Sequence, residues 1–130
     1  MIDDTEEARR IALNLLNHSA RTESQLRDKL VGRGVTEQVA DDLIDRYREV
    51  GLVDDAAFAR SMAGAHFRDK KLARREISMR MQRKGLQRDD IDEALCQISD
   101  EDERDAAFEL ARARWIRLEG REPAARTRTV

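Results

Sequence analysis

The chain has 130 residues and nearly balanced charge, with 25 Lys or Arg against 27 Asp or Glu and a formal net charge of -2. Charged residues make up 40% and aromatic residues 4%, which leaves little bulk for a sandwich or barrel and favours thin helical layers. The acidic N-terminus MIDDTEEARR is unlike a secretory signal, no window of 18 uncharged apolar residues suggests a membrane span, and Cys96 has no partner for an internal disulfide. We therefore expect a cytoplasmic protein.

Apolar residues recur with helical spacing along almost the whole chain, and no alternating strand pattern interrupts them. The last stripe contains Phe108, Ala111, Trp115 and Leu118, and we expect Phe108 and Trp115 to lie in the core. The pattern predicts seven helices, near residues 5–18, 23–33, 37–50, 55–70, 72–84, 89–98 and 101–118.

Polar and glycine residues stand where these helices should begin and end. Thr22 with Gln25 has the spacing of a capping box, in which each residue binds the other's backbone N–H group. Side-chain oxygens that can accept first-turn N–H groups predict further N-caps at Asp4, Thr36, Asp54, Asp89 and Asp100. Glycines that can adopt the left-handed conformation predict helix ends at Gly34, Gly51, Gly85 and Gly120.

Several segments recur about fifty residues apart. The sequence Asp-Ala-Ala-Phe at 55–58 returns at 105–108, and 33–35 (Arg-Gly-Val) corresponds to 84–86 (Lys-Gly-Leu). A unit of three helices whose apolar faces pack against neighbours explains this period. We predict an all-α fold of tandem three-helix repeats, two complete and a third partial, forming a curved, elongated array. The units are 5–51, 52–99 and 100–120, the last with one helix, followed by a disordered tail at 121–130.

Positive charge is concentrated in one segment. From Arg68 to Arg88 there are nine Lys or Arg against Asp69 and Glu76. Helical geometry places Ala73, Ile77 and Met81 on a buried stripe and leaves the remaining face basic. Such a face binds a phosphate backbone without sequence preference, and it equally suits an acidic protein surface. The predicted contact residues are Arg68, Lys70, Lys71, Arg74, Arg75, Met79, Arg80, Arg83 and Lys84.

Two other interpretations of this segment stay open. The basic residues are alternatively a solvated face whose charge attracts the acidic segments around it. Met79 lies on the exposed side, where a flexible apolar side chain suits an irregular partner surface, but it also suits packing against a neighbouring repeat. Arginine outnumbers lysine strongly, which favours forked contacts to phosphate or carboxylate, although a GC-rich coding bias gives the same excess.

The sequence offers no catalytic or metal-binding constellation. The paired acids at 41–42, 54–55 and 89–90 lie on helices or at their starts, where neighbouring side chains diverge and negative charge stabilises the helix terminus. His18 and His66 have no cysteine or histidine partner at ligand spacing. We therefore predict a protein that is not an enzyme and has no cofactor or metal.

A family resemblance covers residues 8 to 118. The segments 24–30 (SQLRDKL), 51–59 (GLVDDAAFA) and 77–86, with Arg33-Gly34 and Lys84-Gly85 at the turns, resemble the regulatory protein RecX family. The resemblance implies tandem three-helix repeats that bind the RecA recombinase on its DNA filament and mostly restrain it, in DNA repair and the SOS response. Family members usually complete a third repeat, whereas this sequence ends in REPAARTRTV.

The predicted function is therefore non-enzymatic regulation of the RecA filament by a cytoplasmic monomer that does not bind membranes. A direct, weakly sequence-specific DNA-binding module is one alternative, because the basic face can bind DNA phosphates by itself. A scaffold that binds an acidic protein surface is another.

Overall fold

A computed structural model describes the backbone of residues 1–129 and the side chains of residues 1–120. The described chain contains seven helices, which confirms the predicted all-α repeat array. Their bounds are α1 Thr5–His18, α2 Glu23–Gly32, α3 Glu37–Glu49, α4 Asp55–Lys70, α5 Arg74–Arg83, α6 Arg88–Leu95 and α7 Asp100–Thr129. The predicted tail at 121–130 lies outside the described side chains and stays a prediction.

The first unit consists of α1, α2 and α3 packed around one apolar cluster. Each helix contributes residues three or four apart, so that one face of each is buried. The extended N-terminus adds a short parallel contact, in which the Ile2 N–H donates to the Gly34 carbonyl and Ile2 accepts from the Thr36 N–H. The buried residues of the cluster are Ala8, Ala12, Leu15, Leu26, Leu30, Val35, Ala40, Leu43, Ile44, Tyr47 and Val53.

The second unit repeats this arrangement with α4, α5 and α6. Met81 occupies the position that Leu30 has in the first unit, and both side chains are fully buried, as the repeat register predicts. Ala73 differs from the prediction, because it is the exposed N-cap of α5 and contributes nothing to the buried stripe. The buried residues of the cluster are Ala59, Met62, Ala63, Ile77, Met81, Leu86, Ile91, Ala94 and Ile98.

Most predicted helix ends are confirmed. The Thr22 and Gln25 capping box forms, and three further N-caps accept first-turn N–H groups as predicted, namely Asp4, Thr36 and Asp54. Three glycines have positive φ at the predicted ends, namely Gly34, Gly51 and Gly85.

The predictions at Asp89, Asp100 and Gly120 were wrong. Gln87 precedes α6, so that Asp89 lies inside its first turn. Ser99 caps α7, because its hydroxyl accepts from the Asp102 N–H while Asp102 accepts from the Ser99 N–H. Helix α7 continues through Gly120, which does not adopt the left-handed conformation.

The two units meet at the N-terminus of α2. The Thr22 hydroxyl is completely buried and donates to the Lys84 carbonyl at the end of α5, at 2.7 Å. The Glu23 N–H donates to Asp55 Oδ1 at the start of α4, at 2.9 Å. Gly85 packs so closely that an added Cβ would lie 2.4 Å from the Ser24 side chain. These contacts fix how the second unit stacks on the first.

The same type of contact joins α7 to the second unit. The Arg74 N–H, in the first turn of α5, donates to Glu103 Oε1 at 3.1 Å, as the Glu23 N–H does to Asp55. Glu103 is therefore the counterpart of Asp55, which relates α7 to α4 by a shift of 48 residues. The match of Asp-Ala-Ala-Phe at 55–58 and 105–108 predicted a shift of fifty, which these contacts replace.

The apolar stripe of α7 is exposed. Phe108 is 69% and Trp115 57% accessible, so that the predicted core position of both residues was wrong. The sequence pattern correctly shows which side of the helix is apolar, but within the described residues no helix packs against it. Ala106, on another side of α7, is buried.

Candidate functional site

Helix α5 carries the basic face that the sequence predicts. Ile77 and Met81 hold its inner side in the core, because residues four apart share one side of a helix. The opposite side exposes the following crest: Arg75, Met79, Gln82 and Arg83. Met79 is 41% accessible, which confirms its predicted place on the outer surface.

Arg74 has a different environment from the rest of this face. Its side chain is only 35% accessible, and the guanidinium pairs with Asp100 and Glu103 of α7, while Nη1 donates to the Ile98 carbonyl at 3.1 Å. These partners raise the pKa of Arg74, first through the hydrogen bonds to Glu103 and Asp100. Its charge is thus neutralised by α7, and its position makes it a link between α5 and α7.

Lys71 also contacts α7. It follows α4 in the left-handed conformation, with φ of 56°, and its ammonium lies 2.9 Å from Glu109 Oε2. Two of the nine predicted contact residues therefore join the second unit to α7. Helical periodicity could not indicate these ion pairs, because the partners lie 26 to 38 residues further along the chain.

Three other basic residues surround His66 of α4. Burial lowers the pKa of His66, and the positive charges of Lys70, Arg80 and Lys84 lower it further. The end of α4, with Lys70, and the end of α5, with Arg80 and Lys84, thus place three cations near one imidazole. Arg80 is partly offset by Glu76, whose Oε1 lies 3.2 Å from Arg80 Nε.

The remaining cations are available to a partner. Arg68 is exposed, and its guanidinium lies above Gly64, where an added Cβ would be 2.9 Å from Nη1. Among residues 1–120, five of the predicted cations form no ion pair within 4.0 Å: Arg68, Lys70, Arg75, Arg83 and Lys84. Together with Met79 and Arg80 they constitute what we call the α5 surface.

A second basic region adjoins this surface. A shallow cleft of about 530 Å³ runs along α2 and is lined by Arg21, Gln25, Asp28, Lys29, Gly32 and Arg33. Because Thr22 binds the Lys84 carbonyl, the start of α2 lies beside the end of α5. The basic residues of the two units thus follow one another along the array, which the sequence could not show without the contact between the units.

An acidic cleft lies at the same junction. Glu23, Asp55 and Asp90 line it together with Arg48, which pairs with Glu23. Burial raises the pKa of Asp55, the Glu23 N–H lowers it, and the carboxylates of Glu23 and Asp90 raise it again. Sequence reasoning missed this cluster, because its members come from three helices. Among the described residues no group of three or more His, Cys, Asp or Glu is arranged to hold a metal ion.

Within the described part of the chain, no helix is both long enough and apolar enough to span a bilayer.

Two family models match the chain. The model described as the first three-helix domain of RecX matches residues 8–46, and the model of the second three-helix domain matches residues 54–95. The matched ranges correspond to the two three-helix units of the structure.

Curated relatives extend the similarity. A protein named regulatory protein RecX from Streptomyces lividans is 37% identical over 115 residues, covering 88% of this chain and 61% of its own length. The one from Thermobifida fusca is 34% identical over 121 residues, covering 93% of this chain and 65% of its own length. The chain therefore spans about three fifths of these relatives.

Solved structures share the fold. The crystal structure of RecX from Lactobacillus salivarius superposes with a TM-score of 0.82 at 21% identity, covering 89% of this chain and 75% of that one. A second structure, of a regulatory protein RecX, gives a TM-score of 0.79 at 27% identity and covers 89% of this chain and 57% of that one.

Proposed function

The chain belongs to the RecX family, and on this premise we propose that it is a non-enzymatic regulator that binds the RecA recombinase filament on DNA. In this proposal it acts in the cytoplasm, during DNA repair and the SOS response, and mainly inhibits the recombinase. Occupying the filament groove limits strand exchange and ATP turnover. The name shared by the relatives, regulatory protein RecX, supports a regulatory role.

The α5 surface is the observation that carries this proposal. Arg75 and Arg83 lie on its crest without an ion-pair partner among the described side chains, so their charge is available to phosphate or carboxylate groups. Met79 lies between them and offers an adaptable apolar contact. A filament of protein on DNA presents all three kinds of group in one groove.

The dimensions of the surface suit such a target. The ten residues of α5 span about 15 Å at the usual helical rise, which is long enough to follow several phosphates. The basic cleft along α2 continues the surface into the first unit. The α5 surface has no set of Asn, Gln and Arg residues arranged to read base edges, so the proposed binding has no sequence preference.

The test reverses charge on the crest alone. Arg75→Glu with Arg83→Glu should weaken binding to preformed filament on the order of tenfold or more and lower the slope of log affinity against log salt by about 2. Arg74 stays unchanged, because reversing it would break the contacts with α7. Helical circular dichroism should match the wild type, since both residues are exposed.

Arg9→Glu with Arg10→Glu is the matched control, with the same change of charge on α1. These arginines are engaged by Glu6 and Glu7 on the same helix, and we expect a smaller loss of filament binding. A crest variant that folds and still restrains the recombinase normally would show that the α5 surface is only solvated. The function would then lie on another surface.

A direct DNA-binding module is the second candidate, favoured by the continuity of basic residues from α5 to α2. Binding to naked single-stranded DNA and to filament, measured at one salt concentration, separates the two. Equal affinities favour the DNA-binding module, whereas tighter binding to filament favours the regulator. An acidic protein scaffold predicts that neither DNA nor filament competes for the surface.

A further inference from the structure

Helix α7 holds two of the predicted contact residues in different ways. Arg74 pairs with Asp100 and Glu103, and its backbone N–H also donates to Glu103. Among the described side chains Lys71 has one ion-pair partner, Glu109, whose Oε2 lies 2.9 Å from the ammonium. Arg74 is thus built into the junction, whereas Lys71 is held by a single contact that another anion can replace.

The ion pair of Lys71 and Glu109 is open to solvent. The two side chains are 36% and 61% accessible. An exposed pair of this kind contributes little to stability, because water solvates the separated charges nearly as well. A backbone phosphate carries the same charge as a carboxylate, so it can take the place of Glu109 on the ammonium at little cost.

Lys71 lies between two groups of cations of the α5 surface. Arg68 and Lys70 precede it in the last turn of α4, and Arg75 follows it in the first turn of α5. None of these three forms an ion pair with a described side chain. Once released from Glu109, Lys71 would add one more cation between the end of α4 and the start of α5.

The start of α7 carries strong negative charge beside this position. Residues 100–109 contain six carboxylates and one arginine. Three of the six carboxylates pair with cations of the second unit, namely Asp100, Glu103 and Glu109. A phosphate that approaches from this side therefore meets like charge, and the cations that would attract it there are already neutralised.

We propose that the acidic start of α7 is an intramolecular competitor of phosphate, in which Glu109 occupies Lys71 and limits how tightly the α5 surface binds naked nucleic acid. This inference rests on the proposed function, because it concerns the regulation of the same surface. Naked nucleic acid binds through its phosphates without sequence preference, so each cation withdrawn from the surface lowers its affinity. The competition thus reduces binding to bulk DNA.

Glu109→Gln tests the competition by releasing Lys71. A further contact to single-stranded phosphate steepens the slope of log affinity against log salt by about 0.7, which over one decade of salt corresponds to about fivefold tighter binding at roughly 0.1 M. Fluorescence anisotropy with a labelled oligothymidylate measures both quantities. Helical circular dichroism should match the wild type, because the ion pair is exposed.

Two control variants separate this contact from overall charge. Glu7→Gln makes the same change of net charge and releases Arg10 on α1, and it should leave oligothymidylate binding nearly unchanged. In a Lys71→Gln background, Glu109→Gln should have no further effect, because the cation that it releases is gone.

Unchanged oligothymidylate binding in Glu109→Gln overturns the competition. An equal gain in Glu7→Gln overturns it as well, and so does a gain that persists in the Lys71→Gln background, since the effect would then belong to the overall charge. The crest variant Arg75→Glu with Arg83→Glu tests the proposed function separately. If it weakens filament binding while Glu109→Gln changes nothing, only the competition is wrong. If Glu109→Gln tightens oligothymidylate binding while the crest variant binds filament normally, the competition is correct and the filament-binding role of the α5 surface is wrong.

Discussion

The buried hydroxyl of Thr22 both caps α2 and joins the first unit to the second. Thr22→Val removes this hydroxyl with little change in the shape of the side chain. The hydroxyl accepts from the Gln25 N–H at 3.1 Å, which caps α2. It also donates at 2.7 Å to the Lys84 carbonyl, one of the last carbonyls of the second unit's central helix, which lack partners within that helix. Valine fills the same space but makes neither bond.

The expected cost follows from these two losses. Removing an N-cap of this type costs about 0.5–2 kcal/mol. Leaving a buried carbonyl without a donor costs a further 1–3 kcal/mol or so, because the group has lost water and gained no partner. We expect Thr22→Val to lower the free energy of unfolding by about 1.5–5 kcal/mol in total.

Urea unfolding followed by far-ultraviolet circular dichroism measures this cost. Thr36→Val is the matched control, because Thr36 caps α3 through the Val39 N–H but its hydroxyl makes no bond between the units. It should lose only the capping contribution of about 0.5–2 kcal/mol. Thr22→Ser, which keeps the hydroxyl, should retain most of the stability. If Thr22→Val costs no more than Thr36→Val, the bond to Lys84 does not stabilise the stacking of the units.

Gly85→Ala should cost more stability than Gly34→Ala. Both positions have positive φ, which costs about 1–2 kcal/mol for alanine. Only at Gly85 would the added Cβ lie 2.4 Å from the Ser24 side chain, whereas at Gly34 it would meet no atom within 4 Å. Adding Ser24→Gly to Gly85→Ala should recover the difference in denaturation midpoint, and equal losses at the two glycines would contradict the close packing. A different measurement concerns His66, whose lowered pKa means that the folded protein binds fewer protons than the unfolded chain just below pH 6.5, so stability is lost as pH falls from there. His66→Gln should reduce this loss between pH 7.5 and 5.5 in thermal unfolding. Identical pH dependence in the wild type and in His66→Gln would contradict the positive field around His66.

Local features made most of the fold predictable from sequence. Helix spacing, the Thr22 capping box and the left-handed glycines each depend on residues within a few positions of one another. The repeat added longer-range information, because Leu30 and Met81 recur in one register and both are buried. The stacking of the units was not predictable in this way, since the Thr22 bond to Lys84 joins residues 62 positions apart.

The apolar stripe of α7 shows a second limit. Helical periodicity identifies the side of a helix that is apolar, but it carries no information about what covers that side. Phe108 and Trp115 were therefore assigned to a core that the described chain does not build around them. The basic face has the same limit, because the helical wheel places Arg74 beside Arg75 without showing that α7 neutralises only the first.

The junction between the two units and the junction between the second unit and α7 have the same backbone contact, but the carboxylates in them have opposite pKa shifts. In each, a carboxylate from the next unit accepts from a first-turn N–H group, at Glu23 in one case and at Arg74 in the other. At the first junction the side chain nearby is itself acidic, and burial with that acid raises the pKa of Asp55. At the second, hydrogen bonds from Arg74 lower the pKa of Glu103.

The pKa shifts of Glu103 and Asp55 have opposite signs, and the difference shows what Arg74 contributes. Glu103 contributes to the stability of the folded state, because the fold stabilises its charged form. This contribution is fully present at neutral pH and is lost as pH falls below about 4.5. Asp55 acts in the other direction, since its charged form is disfavoured and stability falls as pH rises above about 3.8. At the second junction Arg74 is the cation that pairs with the carboxylate of Glu103. At the first junction the cation is Arg48, which pairs with Glu23. The charge of Arg74 is used within the array, in its ion pairs with α7. The charges that can bind a partner are those of Arg75 and Arg83.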